Sequence, residues 1–138
     1  PGGSVWVTGP AAFDTWVDAL RNLPDIKDYW GGYGGNSYVA QCVRESRSIC
    51  ADFLLRLYKK YRGRQHKCLV KAAKCYEDEL KLMEEFTQVF PYSWPPPTQI
   101  EVRAEEIKKG TEILNKMKPL EEEAVNCMKR AVEDWETH

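Results

Sequence analysis

An all-α fold, a mostly antiparallel bundle of three long helices preceded by a short one, is predicted by three observations. Apolar residues recur at three- and four-residue spacing over long stretches, and prolines and glycines cluster between those stretches. Alternating, strand-like patterning is confined to Ser4-Val5-Trp6-Val7-Thr8, which Gly9-Pro10 terminates. A single strand has nothing to pair with in a helical domain, so residues 1–10 are expected to be a remnant of a preceding module or a linker, and residues 11–138 the bundle. The opening Pro1-Gly2-Gly3, without a Met, fits a piece of a longer polypeptide.

The first helix is expected over about Ala11 to Asn22, where Phe13, Trp16, Val17 and Leu20 form one apolar stripe. Leu23-Pro24 ends it, because the residue before a proline is pushed out of the helical region. From Asp25 to Asn36 the aromatic and glycine residues Tyr29-Trp30-Gly31-Gly32-Tyr33-Gly34-Gly35 have no periodicity and read as a loop. Asn36 or Ser37 then caps a second helix of roughly 25 residues, about 37 Å long. Its seam is Val39, Cys42, Ser46, Cys50, Phe53 and Leu57, and Gly63 closes it.

The third helix, about Arg64 to Val89, turns Leu69, Ala72, Tyr76, Leu80, Met83 and Phe90 inward, and Phe90-Pro91 stops it. Pro95-Pro96-Pro97 is a stiff connection, and Thr98 with Glu101 three residues on has the form of a capping box for the last helix. The final seam runs through Ile107, Gly110, Leu114, Met117, Ala124, Met128, Ala131 and Trp135. It keeps register across Pro119, apart from Glu121 at one inward position, so one kinked helix is expected there, with a break at Pro119 as the alternative.

At 138 residues the chain can bury a core without disulfide staples. The composition, 43% hydrophobic and 30% charged with a mean hydropathy of -0.57, is that of a globular protein without a membrane span. Twenty basic residues stand against twenty-one acidic ones with no basic block, which argues against nucleic-acid and membrane-surface partners. Five cysteines, an odd number without a secretory leader, point to a reduced, cytoplasmic chain. Cys42 with Cys50 and Cys68 with Cys75 are about two helical turns apart, too far to bond each other. All five cysteines, Cys127 included, read most simply as small buried hydrophobes.

No cofactor or metal site is expected: there is no Cys-x-x-Cys, no Glu-x-x-His pair, and only His66 and His138 supply imidazoles. His66 lies two residues before Cys68, which on a helix points it away from the thiol, so no nucleophile and base are assembled. Gly31 to Gly35 lack the spacing and the lysine of a phosphate loop. Glu121-Glu122-Glu123 reads as a solvated face.

One constellation invites a functional reading. If the second and third helices run antiparallel, the glycine-rich loop with Tyr29, Trp30, Tyr33 and Tyr38 meets the proline-rich connection with Tyr92 and Trp94 at one end of the bundle. Six aromatic side chains beside the backbone donors of a helix N-terminus suit a ligand, an anion or a docking protein. The alternative is that the aromatics plug the open end of the bundle, over glycines that let the loop fold tightly.

Three stretches, taken in order, resemble a known family: Ala12-Phe13-Asp14-Thr15-Trp16-Val17-Asp18-Ala19-Leu20; Gly31 to Gly35 with Glu45 and Ala51-Asp52-Phe53-Leu54; and Ala72-Ala73-Lys74-Cys75-Tyr76. The order looks like the C-terminal helical region of proteins related to butirosin biosynthesis protein H, over Phe13 to about Phe90. In that family the helices follow a papain-like cysteine-peptidase fold, and the named member transfers an acyl group from a carrier protein to an aminoglycoside amine. The resemblance implies an accessory domain of a cysteine-dependent acyltransferase-like or hydrolase-like protein, with the catalytic cysteine and histidine in an upstream module and none carried by residues here. Its partners would be a small-molecule or acyl-type ligand, that upstream papain-like module, or a second copy of the chain. The competing expectation is a stand-alone small-molecule-sensing or protein-interaction module.

Overall fold

Each apolar stripe becomes a helix in the computed structural model, which describes residues 7–61 and 66–136. Helix α1 spans Ala11–Arg21 and is followed by a 3-10 turn at Leu23–Asp25; α2 spans Tyr33–Lys60, α3 His66–Val89 and α4 Ala104–Glu136. No strand occurs among the described residues, and the fold is an all-α bundle. The expected strand lies at residues 4–6 outside the described residues, as does the closing Gly63, and Val7 and Thr8 take no regular structure.

Helix α2 packs on α3, α3 on α4, and α1 on α4. The pairings are antiparallel: Ser37 near the start of α2 donates to the carbonyl of Phe90, just past the end of α3, at 2.9 Å, and Lys118 of α4 reaches Asp14 of α1 at 2.6 Å. Pro119 sits inside α4 without ending it, on an exposed position.

Two apolar clusters result. The upper one gathers Phe13, Val17, Leu20 and Leu23 against Ala40, Met83, Phe86, Phe90, Ile113, Leu114 and Met117. Gly110 lets it close, because a Cβ there would stand 2.7 Å from Phe90 Cε2 and 3.0 Å from Leu20 Cδ1. The lower cluster is built of small residues, Ala51, Ala72, Ala73, Ala124 and Ala131, with Leu54, Leu69, Cys75, Tyr76 and Cys127.

Several expected details are corrected. Helix α2 begins at Tyr33, not after Asn36, and its buried face is Gly34, Ser37, Ala40, Ala51 and Leu54. Val39, Cys42 and Phe53 of the expected seam face outward. Asn36 is no cap: its amide donates to the Gly32 carbonyl and its Oδ1 accepts from Trp16 Nε1 at 2.6 Å, tying α1 to α2. The capping box also moves. Thr98 and Glu101 lie before the helix, and Glu106 accepts from the backbone N–H of Arg103 at 2.9 Å, the reach-back half of that device. At the far end Trp135 is half exposed, stacked edge-on against Tyr61 at 4.7 Å.

Candidate functional site

The antiparallel pairing brings the two unusual connections together. Trp30 stands 5.9 Å from Trp94 and 6.3 Å from Tyr92 between ring centroids, and Tyr38 reaches Tyr92 at 6.5 Å. Tyr29 packs edge-on against Trp30 at 4.9 Å and alongside Tyr33 at 6.2 Å. All six aromatics picked out in the sequence therefore share one pole.

They divide by burial. Tyr29 is buried, resting on the Cα of Gly34, where any Cβ would collide with its ring, and its hydroxyl donates to the Ser93 carbonyl at 3.3 Å. Tyr33 is half-buried, edge-on to Phe90 at 5.5 Å. These two close the end of the upper cluster. Trp30, Tyr38, Tyr92 and Trp94 are exposed, Trp94 at 71%, so an outer aromatic face lies over an inner plug. The two sequence readings thus describe two layers of one structure.

Two of the backbone donors at this pole are occupied. The N–H of Gly34 donates to the Tyr29 carbonyl at 2.7 Å, and that of Gly31 to the Asp28 carboxylate at 2.6 Å. Asp28 already places a negative charge at the start of α2, where a helix favours one. An anion approaching the expected seat would therefore meet the Asp28 carboxylate beside it.

The cysteines are free thiols in different settings: Cys42 is exposed, Cys50 and Cys68 are half-buried, and Cys75 and Cys127 are buried. The expectation that all five are buried fails at Cys42, because the inward face of α2 is rotated away from it. Burial pushes the Cys75 and Cys127 thiols up, away from the thiolate a nucleophile requires. The His66 side chain lies outside the described residues.

Between the two apolar clusters sits a charged layer that the sequence reading did not assemble. Arg47 of α2 donates through Nε to Glu79 of α3 at 2.5 Å, and its Nη2 stands 2.9 Å from Glu121 of α4. Glu79 is fully buried, Glu121 nearly so, and the guanidinium lies 5.3 Å over the Tyr76 ring. Glu121 is thus a structural carboxylate, not part of a solvated acidic face. A signal existed: Glu121 fell on the inward register of the last helix, and Glu79 lies three residues from both Tyr76 and Met83's neighbour Leu82 on a face that is otherwise apolar.

Two carboxylates share one guanidinium here. Desolvation, opposed by Arg47 and reinforced by Glu121, pushes Glu79 up to about 8. The folded protein therefore holds a proton that the unfolded chain releases above the usual carboxylate pKa. Stability from this group is full below about 4.5 and is lost as pH rises through about 8. Urea denaturation of wild type and Glu79→Gln across that window is expected to show wild type losing ground on the order of 1 kcal/mol per pH unit. A difference between the two proteins that stays flat with pH would rule out the buried proton.

A groove of about 650 Å³ opens between α1 and α2, beneath the glycine loop. Phe13, Trp16, Val39 and Val43 wall it, and Arg47 and Glu121 lie at its inner end. At the opposite pole, Phe53, Leu57, Met128, Val132 and Trp135 border an apolar depression of about 390 Å³. No group of three or more metal-ligating side chains occurs among the described residues, and no described helix is long and apolar enough to cross a membrane. Set against protein-family models, curated proteins and solved structures, the chain gives no significant match in any of the three comparisons.

Proposed function

We propose that this chain is an accessory helical domain of a cysteine-dependent acyltransferase-like or hydrolase-like protein, which works by contact and leaves the chemistry to an upstream module. The observation that carries the contact role is the exposed face of Trp30, Tyr92 and Trp94 on two loops with Tyr38 on the second turn of α2, at one end of the bundle. Aromatic side chains supply large contact area at small cost in conformational entropy, which is why they dominate binding surfaces. The inner pair, Tyr29 and Tyr33, anchors that face to the core and keeps it ordered. The attribution to this class of protein rests on the ordered sequence resemblance to the butirosin biosynthesis protein H group.

A small-molecule or acyl-type ligand, or the upstream module itself, is the natural occupant of such a face. A titration with an acyl pantetheine thioester, followed by tryptophan fluorescence, tests the ligand. Trp30→Ala and Trp94→Ala should each weaken the response by roughly tenfold, the loss of about 1.4 kcal/mol expected of an exposed aromatic anchor. Trp94→Ala should leave the melting temperature within about 1 °C, since its indole is largely in solvent. Fluorescence that ignores acyl thioesters and aromatic carboxylates alike would remove the ligand reading.

A stand-alone interaction module remains the second reading, favoured by the depression at the far pole with Phe53 and Val132, each 58% exposed. Light scattering separates the two: a ligand-independent dimer that Trp135→Glu dissolves would favour it.

A further inference from the structure

Helix α2 carries a second stripe, beside the face that packs on α3. Val39, Val43, Ser46, Cys50, Phe53 and Leu57 recur at alternating spacings of four and three residues, the rhythm of a helix that packs lengthwise on another. Val39 and Phe53 are exposed, the other four are half-buried, and Ile49 at the edge of the stripe is 69% exposed. The stripe joins the two hollows already described: Val39 and Val43 wall the groove beside α1, and Phe53 and Leu57 border the depression at the far pole. An apolar band of this length on one face marks a contact surface.

What flanks the stripe differs between its halves. In the upper half α1 forms a ridge, lying along α4 from Leu20 against Gly110 to Asp14 beside Lys118. Below that level the core draws on α2, α3 and α4, and the depression of about 390 Å³ opens between α2 and α4 with no described helix over it. A two-fold axis across the middle of α2 exchanges the halves, so that the ridge of each copy falls on the hollow of the other. We propose that the chain pairs with a second copy of itself through this stripe, α2 antiparallel on α2 with the axis at Ile49. The pairing rests on the interaction-module reading given above and names its partner.

Charge selects the direction. Parallel pairing would set Arg56, Lys59 and Lys60 of one copy on the same three cations of the other, and α1 on α1. Antiparallel pairing lays those cations over residues 29–43 of the other copy, which carry no charged side chain, and brings Arg56 within one helical turn of Glu45. Area decides how much of the face is needed. The seam from Val39 to Leu57 is about 27 Å long and about 10 Å wide, roughly 300 Å², whereas a stable dimer covers about 800 Å² on each partner. The two contacts of ridge in hollow are therefore as much a part of the interface as the seam.

Sedimentation equilibrium of the whole chain at micromolar concentration should give a dimer. Ile49→Glu, at an exposed position, should weaken it roughly hundredfold and leave the helical circular dichroism unchanged. A short bismaleimide reports the direction. Ile49→Cys in a Cys50→Ser background should link copy to copy, because position 49 lies on the axis. Cys50→Ser alone should not, because the two exposed Cys42 thiols would stand roughly 20 Å apart along the seam. A chain that stays monomeric at millimolar concentration would overturn the pairing and leave the interaction reading without its dimer. A dimer indifferent to Ile49→Glu, or one that links through Cys42, would overturn the pairing alone and leave that reading standing.

Discussion

Arg47→Met is expected to destabilise the protein by about 3 to 5 kcal/mol at neutral pH, the range found when one member of a buried ion pair is removed. The variant leaves Glu79 and Glu121 side by side in a nearly dry layer with no cation between them. Raising the pH through about 8 should deepen the loss, because wild-type Glu79 then ionises against Arg47 while the variant has no cation to receive that charge. Thermal melts of wild type and variant would therefore diverge further as pH rises past 8. Equal destabilisation below and above that pH would mean that the guanidinium contributes packing over Tyr76 and little charge. Replacing all three residues by apolar ones of similar volume should be close to neutral in stability.

The second large effect is expected at Gly35→Ala. A Cβ at Gly35 would collide with the backbone carbonyl oxygen of Trp30, and a backbone atom cannot swing aside as a side chain does. A gain of about 1 kcal/mol in helix propensity is outweighed by overpacking of about 2 to 3 kcal/mol. The loop must shift, carrying Tyr29 and Trp30 with it, so near-ultraviolet circular dichroism should lose intensity together with stability. Gly31→Ala is the control, since its Cβ would meet only the movable Asp28 carboxylate at 2.9 Å. Identical behaviour of the two variants would show that the close approach at Gly35 does not hold the loop.

The sequence revealed more of the connections than of the interior. Proline and glycine punctuation placed the helices to within a few residues, apart from the starts of α2 and α4. Ahead of α2 the glycine run reads as loop because glycine disfavours helix in isolation. In the fold Gly34 and Gly35 lie in the first turn of α2, where a Cβ would strike the Tyr29 ring and the Trp30 carbonyl, a tertiary demand that no local pattern carries. The antiparallel argument put Trp30 beside Trp94 correctly, since it needed only helix order and loop length.

Phase was harder. The buried face of α2 is made of Ser37, Ala40, Arg47, Ala51 and Leu54, small or polar residues that weigh little in an apolar count. Val39, Cys42 and Phe53, which weigh more, look outward. The charged layer escaped for a related reason: the register marks Glu121 and Glu79 as turned inward, but nothing in the pattern identifies Arg47 as the cation between them.

That layer also acts on the aromatic pole from a distance. Sliding α3 one turn along α2 would move Glu79 away from Arg47 and into hydrocarbon, an energetic penalty that uniformly apolar helices would not impose. The arginine thus works as a pawl against a ratchet tooth, permitting one alignment of the helical hairpin. Because the two connections are the far ends of these same rods, a midsection pairing decides whether the tryptophans above it meet at all.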